Sequence, residues 1–123
     1  MIAIIDSGGA NIASVTFALE RCGATGTLTT DAEMIASADK VILPGVGAAP
    51  VAMAQLQKAG LVDCIRGLTQ PVLGICLGMQ LLFERSEEGD TALLRLIPGT
   101  VGAFQPAPGL SIPHMGWNQL LPT

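Results

Sequence analysis

Residues 71–83 read Pro71-Val72-Leu73-Gly74-Ile75-Cys76-Leu77-Gly78-Met79-Gln80-Leu81-Leu82-Phe83. An apolar run passes directly into Gly-x-Cys-x-Gly, and that into the helix-forming string Met-Gln-Leu-Leu-Phe. Strand, sharp turn and helix in that order make the thiol version of a nucleophile elbow, a turn that thrusts one side chain clear of the backbone. Gly74 and Gly78 stand where side chains would crowd such a turn. The turn would set Cys76 at a helix N-terminus, where the positive end of the peptide dipoles favours thiolate over thiol. It would also leave the N–H of Leu77 without an intrahelical partner, available to a developing oxyanion. The competing reading is a buried structural cysteine between two helix-packing glycines.

Working outward from the elbow, residues 2–5 are a short apolar run ending in Asp6-Ser7-Gly8-Gly9, a buried strand and its turn. Residues 11–21 predict a helix stopped by Gly23, and residues 26–29 a second strand. Thr30-Asp31-Ala32-Glu33 fits a capping box, with Thr30 as cap, opening a short helix that runs to Ser37. Residues 40–43 predict a third strand with Pro44-Gly45-Val46-Gly47 as its exit turn. Helices are expected over 50–58 and 61–68, divided at Gly60, a fourth strand over 71–75 and the elbow helix over 77–85. This alternation predicts a single α/β domain, a flavodoxin-like sandwich whose mostly parallel sheet is covered by helices on both faces. Beyond the acidic loop Ser86-Glu87-Glu88-Gly89-Asp90, residues 101–104 and 111–112 and beyond are short extended segments among prolines. They predict an antiparallel extension of the sheet.

The chain has 123 residues, 50% of them hydrophobic, which suffices for one domain with a real core. Charged residues make up 13% and the net charge is −4 without any Lys/Arg cluster, so nucleic acid and anionic membrane are poor partners. The richest apolar stretch, 41–54, is interrupted by Pro44, Gly45, Gly47 and Pro50, too broken to span a bilayer. Residues 1–6 carry no basic region ahead of their apolar residues and do not read as a signal peptide. Three cysteines without framework spacing point to a reducing cytoplasm. One histidine and no C-x-x-C leave no ligand set for a metal.

In a parallel sheet, ligand sites lie beyond the carboxyl ends of the strands. Three places qualify here: the loop 6–11, the turn 44–47, and Cys76. The loop 6–11 invites a phosphate-binding reading, but it lacks the third glycine of G-x-G-x-x-G and the Gly-Lys-Ser/Thr of a P-loop. The glycines of 44–47 let backbone approach a ligand, and an N–H from this turn could join that of Leu77 in an oxyanion hole. The same turn also reads as an ordinary strand exit. Cys22 and Cys64 read as core residues on helix faces. Glu84, Glu87 and Glu88 read as a solvated face. His114, in Ile112-Pro113-His114-Met115-Gly116-Trp117-Asn118, reads as part of a recognition loop more readily than as a general base.

With these residues assembled, the chain closely resembles the class I (triad-type) glutamine amidotransferases. The resemblance is carried by residues 74–83 with Ser86-Glu87-Glu88-Gly89, by Asp6-x-Gly8-x-x-Asn11, by Pro44-Gly45-Val46-Gly47 and by Pro113-His114-Met115-Gly116-Trp117-Asn118. It implies that Cys76 attacks the side-chain amide of glutamine. It implies further that Val46, Gly47 and the Leu77 N–H form the oxyanion hole, and that Gln80 and Gly47 line the glutamine site. No cofactor is implied. The ammonia would pass to a (β/α)8 barrel cyclase subunit, which makes imidazole glycerol phosphate in histidine biosynthesis. Two departures stand in the first loop: Ser7 where the family usually has Tyr, and Ala10 where it has Gly. A larger one is the absence of the family's His-Pro-Glu motif, which carries the catalytic His and Glu. The resemblance therefore implies an N-terminal fragment with the nucleophile and without its base, inactive by itself. The alternative is a non-catalytic α/β module that docks on a barrel enzyme.

Overall fold

The computed structural model describes residues 1–123. Its elements are β1 (Ile2–Ile5), α1 (Ile12–Arg21), β2 (Gly26–Thr29), α2 (Ala32–Ser37), β3 (Lys40–Gly45), α3 (Ala49–Lys58), α4 (Val62–Arg66), β4 (Val72–Cys76), α5 (Leu77–Leu81), β5 (Arg85–Ser86), a 3-10 turn (Glu88–Asp90), β6 (Thr91–Ala92) and β7 (Thr100–Val101). The first four strands form one parallel sheet in the order β2-β1-β3-β4. Parallel neighbours need crossovers, and the helices supply them. The α/β class and the mostly parallel sheet expected from the sequence are both present.

Strand residues alternate between the two faces. Ala3, Ile5, Val41 and Leu43 point to one side and join Ile35, Leu56, Leu61, Ile65, Leu77, Leu81 and Leu94 in a buried cluster under α2 to α5. Burying a side chain of this size contributes about 1.5–3 kcal/mol. On the opposite side, Leu28, Ile4, Ile42 and Leu73 form one row across the sheet. There α1 covers β1 and β2 closely: a Cβ at Gly26 would lie 2.6 Å from Ile4 Cδ1 and 2.8 Å from Leu19 Cδ1. Only glycine lets the helix approach that near. α1 itself buries none of its residues fully, and Leu28, Leu73 and Ile75 stay 44%, 57% and 38% exposed.

Local signals set the helix ends. Asn11 caps α1 by accepting from Ser14 N, and Gly23, at φ +71°, follows its last turn. Before α2 the cap is Asp31, not Thr30: Asp31 Oδ1 accepts from Glu33 N at 2.9 Å and Met34 N at 3.3 Å. Thr29 Oγ1 in turn accepts from Asp31 N at 2.9 Å. The carboxylate reaches two orphan N–H groups at once, which a hydroxyl one residue earlier does not.

Two further expectations are corrected. The elbow helix ends at Leu81 rather than near residue 85, because the backbone from 82 onward is claimed by residues 92–99. Leu93 N donates to Glu84 O, Arg95 N to Phe83 O, Leu96 N to Leu82 O and Glu84 N to Gly99 O. The extension of the sheet is instead a separate three-stranded sheet in the order β6-β5-β7, with β5–β6 antiparallel and β5–β7 parallel. Residues 102–123, including 111–112, form neither helix nor strand. Pro106, Pro108 and Pro113 remove ladder donors there, and no neighbouring strand is present to pair with.

Candidate active site

β3 and β4 run side by side, and their last pair in register is Gly45 with Cys76. The turn after Gly45 and the helix after Cys76 therefore leave the sheet together, at the carboxyl ends of the strands. Cys76 adopts φ +56°, ψ −122°, a conformation that a side chain with a Cβ rarely takes. Such a residue costs on the order of 1–3 kcal/mol and persists only where its surroundings impose it.

Three glycines impose it here. A Cβ on Gly78 would lie 1.8 Å from Leu43 O, and one on Gly74 would lie 2.6 Å from Met79 Cα. A Cβ on Gly45 would lie 2.8 Å from Gly78 N. α5 thus rests backbone to backbone on β3 and β4, and the chain has room only for the sharp turn at Cys76. The crowding expected at Gly74 and Gly78 is what the packing displays, and Gly45 is a third member that the sequence reading had assigned to ligand approach. The Cys76 thiol is exposed and makes no capping hydrogen bond to α5. A buried structural cysteine is excluded.

Leu77 is the first residue of α5 and its side chain is buried in the core. Across from it, Val46 is exposed and Gly47 sits at φ +90° with open space where a Cβ would be. The ends of this turn are tied to distant segments. The buried Ser7 hydroxyl donates to Pro44 O at 2.7 Å. Ala49 N donates to Glu88 Oε1, also at 2.7 Å. Gln80, one turn beyond Cys76, lines a cavity of about 490 Å³ with Ser86, Glu87, Glu88 and Val101. Ala103 also lines this cavity, and its N–H donates to Glu87 Oε2 at 3.0 Å.

Glu88 and Ser7 are the two residues whose place the sequence did not reveal. Glu84, Glu87 and Glu88 are exposed, as the solvated-face reading expected, and what that reading missed is the Glu88 bond to the start of α3; Ser7, read as a departure in a loop, is buried. The partners of Glu88 and Ser7 lie 39 and 37 residues away, beyond the reach of any local motif. The first loop spends its own polar groups internally: Asp6 Oδ1 accepts from Gly8 N at 3.1 Å and Asn11 caps α1. Cys22 is exposed at the end of α1, so the expectation of a core position fails: the helix stops there and no element covers it. Cys64 is half-buried, its Sγ donates to Ala32 O at 3.5 Å, and burial pushes its thiol above the ordinary value. His114 is exposed, with its Nε2 3.0 Å from Asn118 Nδ2 in the same segment.

Residues 3–123 match the family described as glutamine amidotransferase class-I. The chain is similar to the imidazole glycerol phosphate synthase subunit HisH of Xanthomonas axonopodis pv. citri (strain 306), at 59% identity over 121 residues. The proteins of the same description from Xanthomonas euvesicatoria pv. vesicatoria (strain 85-10) and Xylella fastidiosa (strain 9a5c) are 57% and 55% identical over the same length. Each alignment covers 98% of this chain, and the chain spans 60% of the length of these curated relatives.

Proposed function

Because the chain belongs to the class-I glutamine amidotransferase family, we propose that it carries the nucleophile half of a glutaminase site, serving a synthase of imidazole glycerol phosphate. The observation that carries this reading is the exposed, positive-φ Cys76 paired in register with Gly45, at the mouth of the turn 45–48. Cys76 Sγ attacks the carboxamide carbon of glutamine and forms a tetrahedral adduct. The backbone N–H groups of the turn at Val46 and Gly47, with that of Leu77, receive the oxyanion. Preorganised donors of this kind are worth roughly 10²–10³ each in turnover. In the collapse of the adduct the nitrogen takes up the proton that the thiol gave up, the C–N bond breaks with release of ammonia, and a thioester remains on Cys76. Water then hydrolyses the thioester to glutamate and regenerates the thiol. Gln80 lines the glutamine pocket, and the ammonia goes to a (β/α)8 barrel cyclase partner.

The proton steps need a base and an acid near Cys76. The single histidine of this chain, His114, is engaged with Asn118. The 123 residues by themselves are therefore proposed to lack measurable glutaminase activity. No cofactor enters the chemistry. The reading fits a reducing cytoplasm, in keeping with three free cysteines, and no helix is long and apolar enough to cross a membrane.

The test is ammonia release from glutamine by these 123 residues, with and without the barrel cyclase, beside Cys76→Ala in a protein of the relatives' full length. Turnover in the longer protein that survives Cys76→Ala would remove the nucleophile assignment. Robust release by the 123 residues that persists in His114→Ala would mean that a base comes from elsewhere. Release lost in His114→Ala would make His114 the base.

A further inference from the structure

We propose that Gln70 is a positioning residue that sets where β4 begins and so keeps Cys76 level with Gly45 at the other end of the strand. The inference rests on the glutaminase reading and extends it to a residue at the end of the sheet remote from the nucleophile. Gln70 answers a need of α2. That helix ends at Ser37 with no basic residue in its last turn, and Ala38 rather than a glycine caps it. The last carbonyls of a helix have no partner within it. Ser37 Oγ serves Met34 O and Ala38 N serves Ile35 O, which leaves Ala36 O and Ala38 O without a local donor. Gln70 Nε2 supplies it from beyond α4, donating to Ile35 O at 3.1 Å, Ala36 O at 3.3 Å and Ala38 O at 3.1 Å. Gln70 Oε1 accepts from Thr69 N at 3.1 Å, so both ends of the amide are used.

The same residue stands at the threshold of β4. Pro71 follows it, and Pro71 O accepts from Val41 N at 3.0 Å, just ahead of the first pair in register, Val41 with Val72. The amide thus locks onto the connection between α2 and β3 while its neighbour makes the first bond of the β3–β4 ladder. β4 has five residues, none of them charged, and is paired on one side alone. An apolar edge strand of this kind holds its register weakly, because a shift by two residues keeps every side chain on its own face. At the carboxyl end, the close contacts of Gly45, Gly74 and Gly78 exclude wrong fits by collision. At the amino end, the selection falls to a polar group whose partners are met in one alignment only. The ladder runs from Val41–Val72 to Gly45–Cys76, so an error at its first rung is carried to its last.

The experiment compares Gln70→Glu, Gln70→Ala and Gln70→Lys with Asp31→Ala, all in a protein of the relatives' full length with its barrel partner. The first two lose the donors. Lysine brings an ammonium to the same carbonyls, a charge favoured at a helix C-terminus. Asp31→Ala removes the cap at the other end of α2 and leaves the start of β4 alone. Amide hydrogen exchange over residues 38–41 and 72–74 reads the tie without any reference to activity, and glutamine kcat and KM read its consequence. Misaligned molecules are inactive and the remainder normal, so Gln70→Glu and Gln70→Ala are expected to lower kcat about 5-fold at unchanged KM and to speed exchange in both segments. Gln70→Lys should restore both to within about 2-fold of the parent, and Asp31→Ala should leave kcat within about 2-fold. Unchanged exchange at 72–74 in Gln70→Ala would overturn the proposal, because Gln70 would then cap α2 without aligning β4. An equal fall of kcat in Asp31→Ala would overturn it too, since loosening α2 alone would suffice. So would a Gln70→Lys protein as impaired as Gln70→Ala. A parent protein that turns over no glutamine would refute the glutaminase reading instead, and the exchange measurement would still decide whether Gln70 aligns β4.

Discussion

Ala3, Ile5, Val41 and Leu43, on the central strands β1 and β3, are at most 1% exposed in the core, while on the other face Leu28 of β2 and Leu73 and Ile75 of β4 look out at 38–57% exposure. On the central strands the second face is covered too, with Ile4 and Ile42 at 1% and 7%, so the openness is confined to the edge strands β2 and β4. The closed face is covered by α2, α3, α4 and α5, and the other carries α1 alone. The candidate site belongs to the closed side: Val72, Gly74 and Cys76 are the β4 residues that alternate with Leu73 and Ile75. The contrast teaches that the strained elbow is braced by the half of the domain that is already complete. The half-open face contributes nothing to holding Cys76.

The strongest way to break this contrast is Gly78→Ala. Its Cβ would meet Leu43 O at 1.8 Å, with backbone on both sides and nothing flexible to yield. The expected loss is about 4 kcal/mol or more, seen as a chain that unfolds without denaturant or never becomes soluble. An unchanged denaturation midpoint would mean that the elbow does not rest on β3.

A paired substitution measures the two faces directly. Leu43→Ala should cost roughly 2–5 kcal/mol and Leu73→Ala less than about 1 kcal/mol, by urea denaturation. Equal costs would erase the distinction between closed and open. The open face also predicts solution behaviour: Leu73→Gln with Ile75→Thr should reduce light scattering of concentrated protein with little change in midpoint. Undiminished scattering would locate the sticky surface elsewhere, for example in the exposed Trp117, Leu120 and Leu121.

The thiols give a smaller effect. Cys22 lies at the end of α1 beside Leu73 on the open face, whereas Cys64 packs against the closed core and its thiol is pushed up by burial. Alkylation at pH 8, followed by mass mapping, should modify Cys64 about 10-fold more slowly than Cys22. Faster labelling of Cys64 would indicate that α2 and α4 open readily.

The smallest expected effect lies at the amino ends of the strands, where neither face is involved. The Met1 ammonium beside Asp39 holds that carboxyl below its ordinary 3.8. A depressed carboxylate stabilises the fold above its ordinary value and loses that contribution as pH falls through the folded value. Because Asp39 is fully exposed, only a slight steepening of acid unfolding below pH 3.8 is expected, absent in Asp39→Asn. Identical acid titrations of the two proteins would show that the pair contributes nothing.

Much of this architecture could be read from the residues because the decisive signals were local. β1, β3 and β4 are contiguous apolar runs closed by glycine or proline turns, and Gly-x-Cys-x-Gly encodes its own turn within five residues. What escaped reading was set by partners far along the chain. The elbow helix was expected to reach residue 85, and hydrogen bonds from residues 93–97 end it at Leu81. The extended character of 111–112 produced no strand, since strand propensity is realised only against a neighbour. Ser7 and Glu88 carry no local signal of their partners at Pro44 and Ala49.

The rung between Gly45 and Cys76 makes the sheet act as a ruler. Nucleophile and turn keep their alignment because they are opposite marks on adjacent rails, whatever the length of the path joining them. Residues 68–69, outside the rails, should accept an inserted residue and leave the spacing at the site unchanged. A single deletion within 72–76 would have the opposite result. Every later side chain of that rail would be turned through to the other surface, and the thiol would be delivered to the wrong side of the sheet.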